Sequence, residues 1–228
     1  MTTSILLYTI LTYSFAAGFQ LLAPSIGSCN ARGGAIVPQA SSSVLFADVL
    51  HKPGPFAAVD GAQQKEMLEL FNEQITNEFA ASHLYLSASI WFEARDWEGM
   101  ASYMLAESSE ERQHALSLIQ FANKRNMDIQ LQSFPQPNSN WESPDEVWGD
   151  ILTMERDNTG SLLQLAQAAN ACQDFAMLAF LNPFHMEQVD AEAKIGTILA
   201  KVKDEQKTPG LLRQLDHELG QEAAVSGP

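Results

Sequence analysis

The feature that most constrains the fold of this chain is a helical repeat of apolar residues that is nearly unbroken from residue 60 to residue 218. Apolar residues recur at steps of three and four, which is the spacing of a helix with one buried face. No stretch alternates apolar and polar residues as a half-buried strand does. The pattern predicts an all-α fold, and 228 residues are enough for one domain with a sizeable core.

Breaks in the repeat divide it into four long helices and a short fifth one. The link "NMDIQLQSFPQPNSNWESP" is long and has no helical period, so we expect one long crossover after the second helix of a four-helix bundle. The third helix has a clear start signal, with Ser143 as cap and Pro144 in the first turn. Pro183 should kink the fourth. The predicted helices cover residues 60–94, 98–125, 144–171, 174–203 and 211–219.

Residues 1–59 differ in composition and are predicted to be a targeting leader, followed by the helical domain at 60–220 and a tail at 221–228. The run "SILLYTILTYSFAAGF" has the length of a signal peptide. The acid-free stretch "APSIGSCNARGGAIVPQASSSVLF" after it looks like a transit peptide. Together they are similar to the two-part leaders of diatoms and other algae with secondary plastids, which predicts a plastid location. The alternative is a secretory signal followed by a disordered tail.

The charge and the cysteines exclude several classes of function. A net charge of −15 repels nucleic acid and anionic membranes and attracts cations, so we expect neither nucleic acid nor a membrane as partner. Cys29 lies in the leader, which leaves Cys172 alone in the helical domain, without a disulfide or a thiolate metal site. The methionines are spaced as core residues, so no haem is predicted.

Each of the four long helices carries polar residues on its apolar face. Burying an unpaired carboxylate costs several kcal/mol. Arg112 and Arg156 cannot compensate, because they point about 100° away around their helices. Cations from outside the chain are the simplest explanation, and we predict a metal site. The polar residues are Glu78 in the first helix, Glu107, Glu111 and His114 in the second, Glu155 in the third and Gln188 in the fourth.

The spacing of these residues predicts a lopsided site for two metal ions. Glu111 and His114 are three residues apart, so both can reach one ion from consecutive turns, as in the Glu-x-x-His unit of di-iron carboxylate bundles. The second copy of this unit is missing, because Asn158 stands three residues after Glu155. Carboxylates and one imidazole suit iron, manganese or zinc. We expect one ion at Glu78, Glu111 and His114 and a second, looser one at Glu111 and Glu155, where Gln188 is either a ligand or a hydrogen-bond partner of bound water.

Several segments resemble a known family. "NEFAASHLYLS", "ESSEERQHA", "MERDNTGSLLQLA" and "HMEQV" are similar to the iron-ligand segments of ferritins, and the resemblance covers residues 62–218. "SIWFEARDWEGMASYMLAES" and "KVKDEQKTPGLLRQLD" are most similar to ferritins of pennate diatoms. The chain is identified as a member of the ferritin family with a ferritin-like four-helix bundle.

The resemblance implies an iron-storage protein with ferroxidase activity. Twenty-four subunits would form a cage around an iron mineral, and each would oxidise Fe(II) with O2 or peroxide at an asymmetric di-iron site. It implies iron ligands at the positions named above and identifies Tyr85 as the tyrosine beside the centre. It also implies a third iron site near Glu107 and Glu110. Its partners on the fourth helix would fall around Asp190 and Ala191, and an alanine cannot bind a metal.

Other classes of protein remain in view. A small di-iron oxidase or oxygenase without iron storage would use the same residues, although such enzymes usually carry a second Glu-x-x-His unit. A miniferritin places its iron ligands between subunits and lacks the long fourth helix followed by a fifth. A purely structural bundle would not leave carboxylates unpaired inside.

Overall fold

The computed structural model describes residues 61–226 of the chain, apart from residues 206 and 209. The described residues form five helices and no strand, which confirms the all-α prediction and the long crossover between the second and third helices. The leader predicted for residues 1–59 lies outside the described residues. The helices are α1 (Gly61–Glu93), α2 (Glu98–Lys124), α3 (Pro144–Ala171), α4 (Phe175–Glu205) and α5 (Leu211–Ser226).

The start of α3 follows the local sequence closely. Pro144 stands at the first helical turn, where its missing N–H costs nothing, and Asp145 and Glu146 lie at the positive end of the helix. Ser143 occupies the cap position with an extended backbone, but its hydroxyl makes no capping hydrogen bond. The predicted position of the cap is therefore confirmed, and its predicted hydrogen bond is not formed. α4 continues as one helix through Pro183.

The apolar faces of α1 to α4 meet in two clusters, and a polar layer lies between them. In each of the four helices, the buried apolar residues of one cluster come before the central polar residue, and those of the other cluster come after it. Packing apolar residues above and below the polar layer shields it from water at both ends. The central polar residues are Glu78, Glu111, Glu155 and Gln188, all buried.

One part of the predicted apolar stripe on α1 is wrong. Leu86 and Ile90, which the spacing placed in the core, are 39% and 64% exposed. Each step of four residues advances about 40° beyond a full turn, so a stripe followed by such steps drifts off the buried face. Tyr85 and Phe92 face the core instead and are fully buried.

The last helix is longer than the predicted "LLRQLDHEL" and packs against the start of α2. The backbone N–H of Met100 donates to Asp216 Oδ1 at 2.8 Å, so a side chain of α5 caps the N-terminus of α2. Gly99 makes this approach feasible, because a Cβ there would lie 1.7 Å from the carbonyl oxygen of Asp216. No described helix has an apolar stretch that would let it cross a membrane.

Candidate metal centre

The polar layer brings Glu78, Glu111 and His114 into one cluster. One ligand atom of each lies within 4.8 Å of the others. His114 Nδ1 is 3.3 Å from Glu111 Oε2 and 3.9 Å from Glu78 Oε2. Glu111 and His114 project from consecutive turns of α2, and Glu78 reaches them from the middle of α1. The three residues expected around the first ion are therefore neighbours in space.

Burial and charge perturb all three groups. The pKa of Glu78 is raised well above its usual value, first by burial and then by the charge of Glu111. Burial also raises the pKa of Glu111, although hydrogen bonding to His114 and the charge of His114 oppose this. Burial acts to lower the pKa of His114, but hydrogen bonds to Glu111 and Glu187 and their charges raise it to about 11. The carboxylates around His114 thus favour its protonated form.

The raised pKa of His114 bears on one expectation from the sequence, which placed no positive charge of the chain itself beside the buried carboxylates. His114 supplies that charge while it is protonated. The expectation holds for Arg156, which pairs with Glu192 at 3.7 Å and is largely exposed. Arg112 is exposed as well.

The residues of the centre fit a divalent cation. Glu78 Oε2 is buried and has no hydrogen-bond partner in the described part of the chain. A buried acceptor without a donor is costly, and a cation beside it removes that cost. Carboxylate oxygens and one imidazole nitrogen are donors that suit iron, manganese and zinc.

Glu155 lies in the same polar layer, where Tyr85 and Gln188 hold it. The Tyr85 hydroxyl donates to Glu155 Oε1. Gln188 Nε2 donates to Glu155 Oε2 at 3.0 Å and to its backbone oxygen at 3.1 Å. Burial, and then the charge of Glu155, raises the pKa of Tyr85 well above its usual value, so the phenol stays a neutral donor. Gln188 acts here as a hydrogen-bond partner of a predicted ligand.

The two residues predicted for a third site have different nearest partners, although the charge of Glu110 contributes to the raised pKa of Glu107. Glu110 joins His114 and Glu187 in a second group whose ligand atoms lie within 4.8 Å of one another, and Glu187 Oε1 is 3.1 Å from His114 Nε2. Glu107 Oε1 instead lies 3.8 Å from Lys194 Nζ. Glu187 was not predicted as a ligand, although it stands beside Gln188 in "HMEQV".

Two buried amides next to the centre were also missed. Gln74 Nε2 donates to Glu78 Oε1 at 2.7 Å and to Asn158 Oδ1 at 2.6 Å. Gln74 precedes Glu78 by one helical turn, and Asn158 follows Glu155 by three residues, so both share a face with a predicted ligand. That spacing was the only available signal, and it does not reveal that the two amides meet.

Comparisons with known proteins show which family the chain resembles. The profile of the Ferritin-like domain family matches residues 68–204. The bacterial non-heme ferritin of Staphylococcus saprophyticus is 32% identical over 147 residues, which are 63% of this chain and 88% of the relative. That of Campylobacter jejuni is 33% identical over 139 residues, 61% of this chain and 83% of the relative.

Solved structures give a higher identity. The crystal structure of apo-ferritin from Pseudo-nitzschia multiseries matches with a TM-score of 0.65 and 62% identity, over 67% of this chain and 97% of that one. A PmFTN variant soaked in iron matches with the same TM-score and 63% identity, over 66% of this chain and 98% of that one. With its helical order, its polar layer and these relatives, the chain belongs to the ferritin family.

Proposed function

We propose that this protein stores iron and that each chain oxidises Fe(II) to Fe(III) at the centre formed by Glu78, Glu111, His114 and Glu155. The observation that carries the proposal is the buried Glu78–Glu111–His114 cluster in the middle of a ferritin-like bundle. The proposed reaction is 4 Fe2+ + 4 H+ + O2 → 4 Fe3+ + 2 H2O. Iron is the substrate, and the residues of the chain bind and orient it.

Each residue has a role that follows from its contacts. Glu111 lies beside Glu78 and His114 and is coupled by charge to Glu155, so we assign it to both iron positions. His114 must lose its proton before Nδ1 can bind iron, because a metal binds only the neutral imidazole. Carboxylates favour the oxidised ion, because its higher charge gains more from anionic oxygen ligands.

The two iron positions are proposed to differ in strength. The first has two carboxylates and an imidazole. The second has the carboxylates of Glu111 and Glu155 and no imidazole, and hydrogen bonds from Tyr85 and Gln188 fix the orientation of Glu155. A position with fewer ligands holds its ion more loosely, which suits transfer of iron onward to a mineral.

We also propose the third iron site that the sequence predicted, with Glu187 in place of Glu107. Glu110 and Glu187 lie beside His114 and would supply the carboxylate ligands of this site. Glu107 is assigned to Lys194 and not to iron.

A cage of twenty-four subunits and a plastid location complete the proposal. Membership of the ferritin family supports the cage. So do exposed apolar residues such as Ile90 and Phe175, 64% and 67% exposed, which contacts between copies would cover. The composition of residues 1–59 supports the plastid.

The proposal is tested by adding Fe(II) in air, well beyond two ions per chain, and fractionating the protein by size with an iron assay. Iron should stay soluble and travel with a very large particle. Glu111→Ala should slow Fe(II) oxidation by more than about 100-fold, since changes even one shell further out cost 10- to 100-fold. The exposed Glu73→Ala is the control and should oxidise iron as the wild type does.

A different result would favour the alternative function. If binding saturates near two iron ions per chain on a small oligomer, the protein is a di-iron oxidase or oxygenase without storage. The search would then turn to an organic substrate.

A further inference from the structure

We propose that Gln74 and Asn158 form a positioning pair that fixes the orientation of the Glu78 carboxylate and thereby sets the metal affinity of the Glu78–Glu111–His114 position. Neither amide is a ligand itself. The inference rests on the proposed function, because it assigns the pair a role toward the metal that Glu78 binds.

The geometry of the pair is a short chain of hydrogen bonds between α1 and α3. The Gln74 amide has two N–H donors, and the Glu78 and Asn158 oxygens both accept from its Nε2, at 2.7 Å and 2.6 Å. Gln74 is 0% exposed and Asn158 is 5% exposed. Oε1 of Glu78 accepts one of these hydrogen bonds, so the NH2 group of Gln74 faces the carboxyl group and its carbonyl oxygen faces away.

This arrangement gives the two oxygens of Glu78 different tasks. Oε1 is held by Gln74, one helical turn earlier. Oε2 points toward His114 Nδ1, at 3.9 Å, and has no hydrogen-bond partner in the described residues. The amide therefore leaves Oε2 as the oxygen that meets a metal. Asn158 anchors Gln74 to α3, so the orientation is tied to the packing of two helices.

The hydrogen bonds of Gln74 are one-sided. Its nitrogen serves two buried acceptors, Glu78 Oε1 and Asn158 Oδ1. Its own carbonyl oxygen Oε1 is buried without a partner in the described part of the chain. A fully buried amide that leaves its own oxygen unpaired is best explained by what its nitrogen does for Glu78 and Asn158.

The pair also accounts for the lopsidedness of the centre. Asn158 stands three residues after Glu155, where a second Glu-x-x-His unit would carry its histidine. Its Oδ1 accepts the hydrogen bond from Gln74. The interaction that aligns Glu78 thus takes up the position that would otherwise supply another ligand from α3.

The chain offers a matched control one turn along the same helix pair. Asn77 Nδ2 donates to Ser161 Oγ at 2.9 Å, which is also an amide hydrogen bond from α1 to α3. The Asn77 side chain makes no hydrogen bond to any of the predicted ligands. Asn77→Leu removes a comparable contact between the helices without altering the orientation of Glu78.

The test is an anaerobic titration of the full chain with Co(II), in which binding is measured by calorimetry and by the visible absorption of the bound ion. The variants are Gln74→Met, Asn158→Leu, the double variant and Asn77→Leu, with Asn158→Ala in reserve if Asn158→Leu does not assemble. Each single variant at the pair should bind the first Co(II) about 10- to 100-fold more weakly with an altered absorption spectrum, which is the usual cost of removing a partner of a ligand.

Three further results are expected if the pair acts as one unit. The double variant should lose no more affinity than either single one, because breaking one link already frees Glu78. Asn77→Leu should bind Co(II) as the wild type does. The metal-free Gln74→Met protein should melt somewhat below the wild type, because Glu78 Oε1 and Asn158 Oδ1 both lose their donor, and the absorption of its bound Co(II) should change as well.

The inference is overturned if the single variants bind Co(II) with wild-type affinity, if their losses add in the double variant, or if Asn77→Leu loses as much. It also fails if Gln74→Met lowers the melting temperature while the absorption of bound Co(II) stays unchanged, because that pattern marks a structural role. Failure of the proposed function looks different: wild type and Glu78→Ala would then bind Co(II) equally, and the inference would fall with it.

Discussion

Replacing Glu78 with glutamine is expected to stabilise the metal-free protein while it removes metal binding at the first position. The substitution keeps the size of the side chain and an oxygen that can accept from Gln74, and it removes only the charge. A buried carboxylate that serves as a metal ligand should lower the free energy of unfolding when no metal is bound. Glu78→Gln should therefore raise the melting temperature of the metal-free protein and lower its affinity for metal.

Coulomb energies alone do not decide the sign for the apo protein. Glu78 and Glu111 have ligand oxygens no more than 4.8 Å apart, so their unit charges repel by at least about 3.5 kcal/mol at an effective dielectric constant of 20. The 3.9 Å separation from His114 gives an attraction of about 4.3 kcal/mol on the same scale. The repulsion offsets most or all of the attraction, so the outcome depends on burial, the largest cause of the raised pKa of Glu78.

The cost of burial favours the variant. A buried ion carries a penalty of several kcal/mol, and partial protonation of Glu78 relieves some of it, so we expect a gain of about 1–3 kcal/mol for Glu78→Gln. In a chain of this size, that corresponds to a rise of about 2–10 °C in melting temperature. Because the pKa of Glu78 is raised by folding, the gain is greatest above that raised pKa and vanishes below the ordinary pKa of a glutamate, where both forms are neutral.

The assay is thermal unfolding of the metal-free protein in chelator, at one scan rate, near neutral pH and again near pH 4. The exposed Glu73→Gln is the control and should melt as the wild type does at both pH values. The reasoning is refuted if Glu78→Gln melts lower than the wild type at neutral pH, or if its advantage persists unchanged in acid.

Three other predictions concern the rest of the centre and the docking of α5. Since the pKa of His114 is raised to about 11, Zn(II) must displace its proton, so the affinity for Zn(II) should rise up to about tenfold per pH unit between pH 6 and 8. Calorimetry in buffers of different ionisation enthalpy counts the protons released on binding, and a count of zero would contradict the prediction. Tyr85→Phe removes a donor to Glu155 and should weaken the second Co(II) while sparing the first, as a two-step titration would show; equal losses would refute the assignment. Gly99→Ala places a methyl group 1.7 Å from the Asp216 carbonyl oxygen and should lower the free energy of unfolding by at least about 1–3 kcal/mol. Proteolysis between α4 and α5 should become faster, and wild-type resistance to the protease would show that α5 can move aside without cost.

The helices and the first ligands could be predicted because their signals are local. The ends of α2 and α3 lie where the apolar repeat stops, at breaks that need no knowledge of the rest of the fold. Glu111 and His114 are three residues apart on one helix, so their meeting follows from helical geometry alone. Their place on an apolar stripe indicated burial and hence a need for outside charge.

Contacts between helices depend on how far one helix slides along another, and a single sequence does not contain that distance. The bond from Gln74 to Asn158 joins residues 84 positions apart, and the approach of Glu187 to His114 likewise joins α4 to α2. The assignment of Glu107 to Lys194 depends on the same packing.

The sequence by itself determined that this chain is a helical bundle with carboxylates and an imidazole in its core, because periodicity and spacing act within one helix. The tertiary structure alone decided which of those groups meet, which carboxylate is held by an amide and which by a tyrosine, and that α5 caps α2 through Asp216. These are properties of side chains from different helices. They arise only when packing brings the helices into one register and burial makes each unpaired polar atom costly.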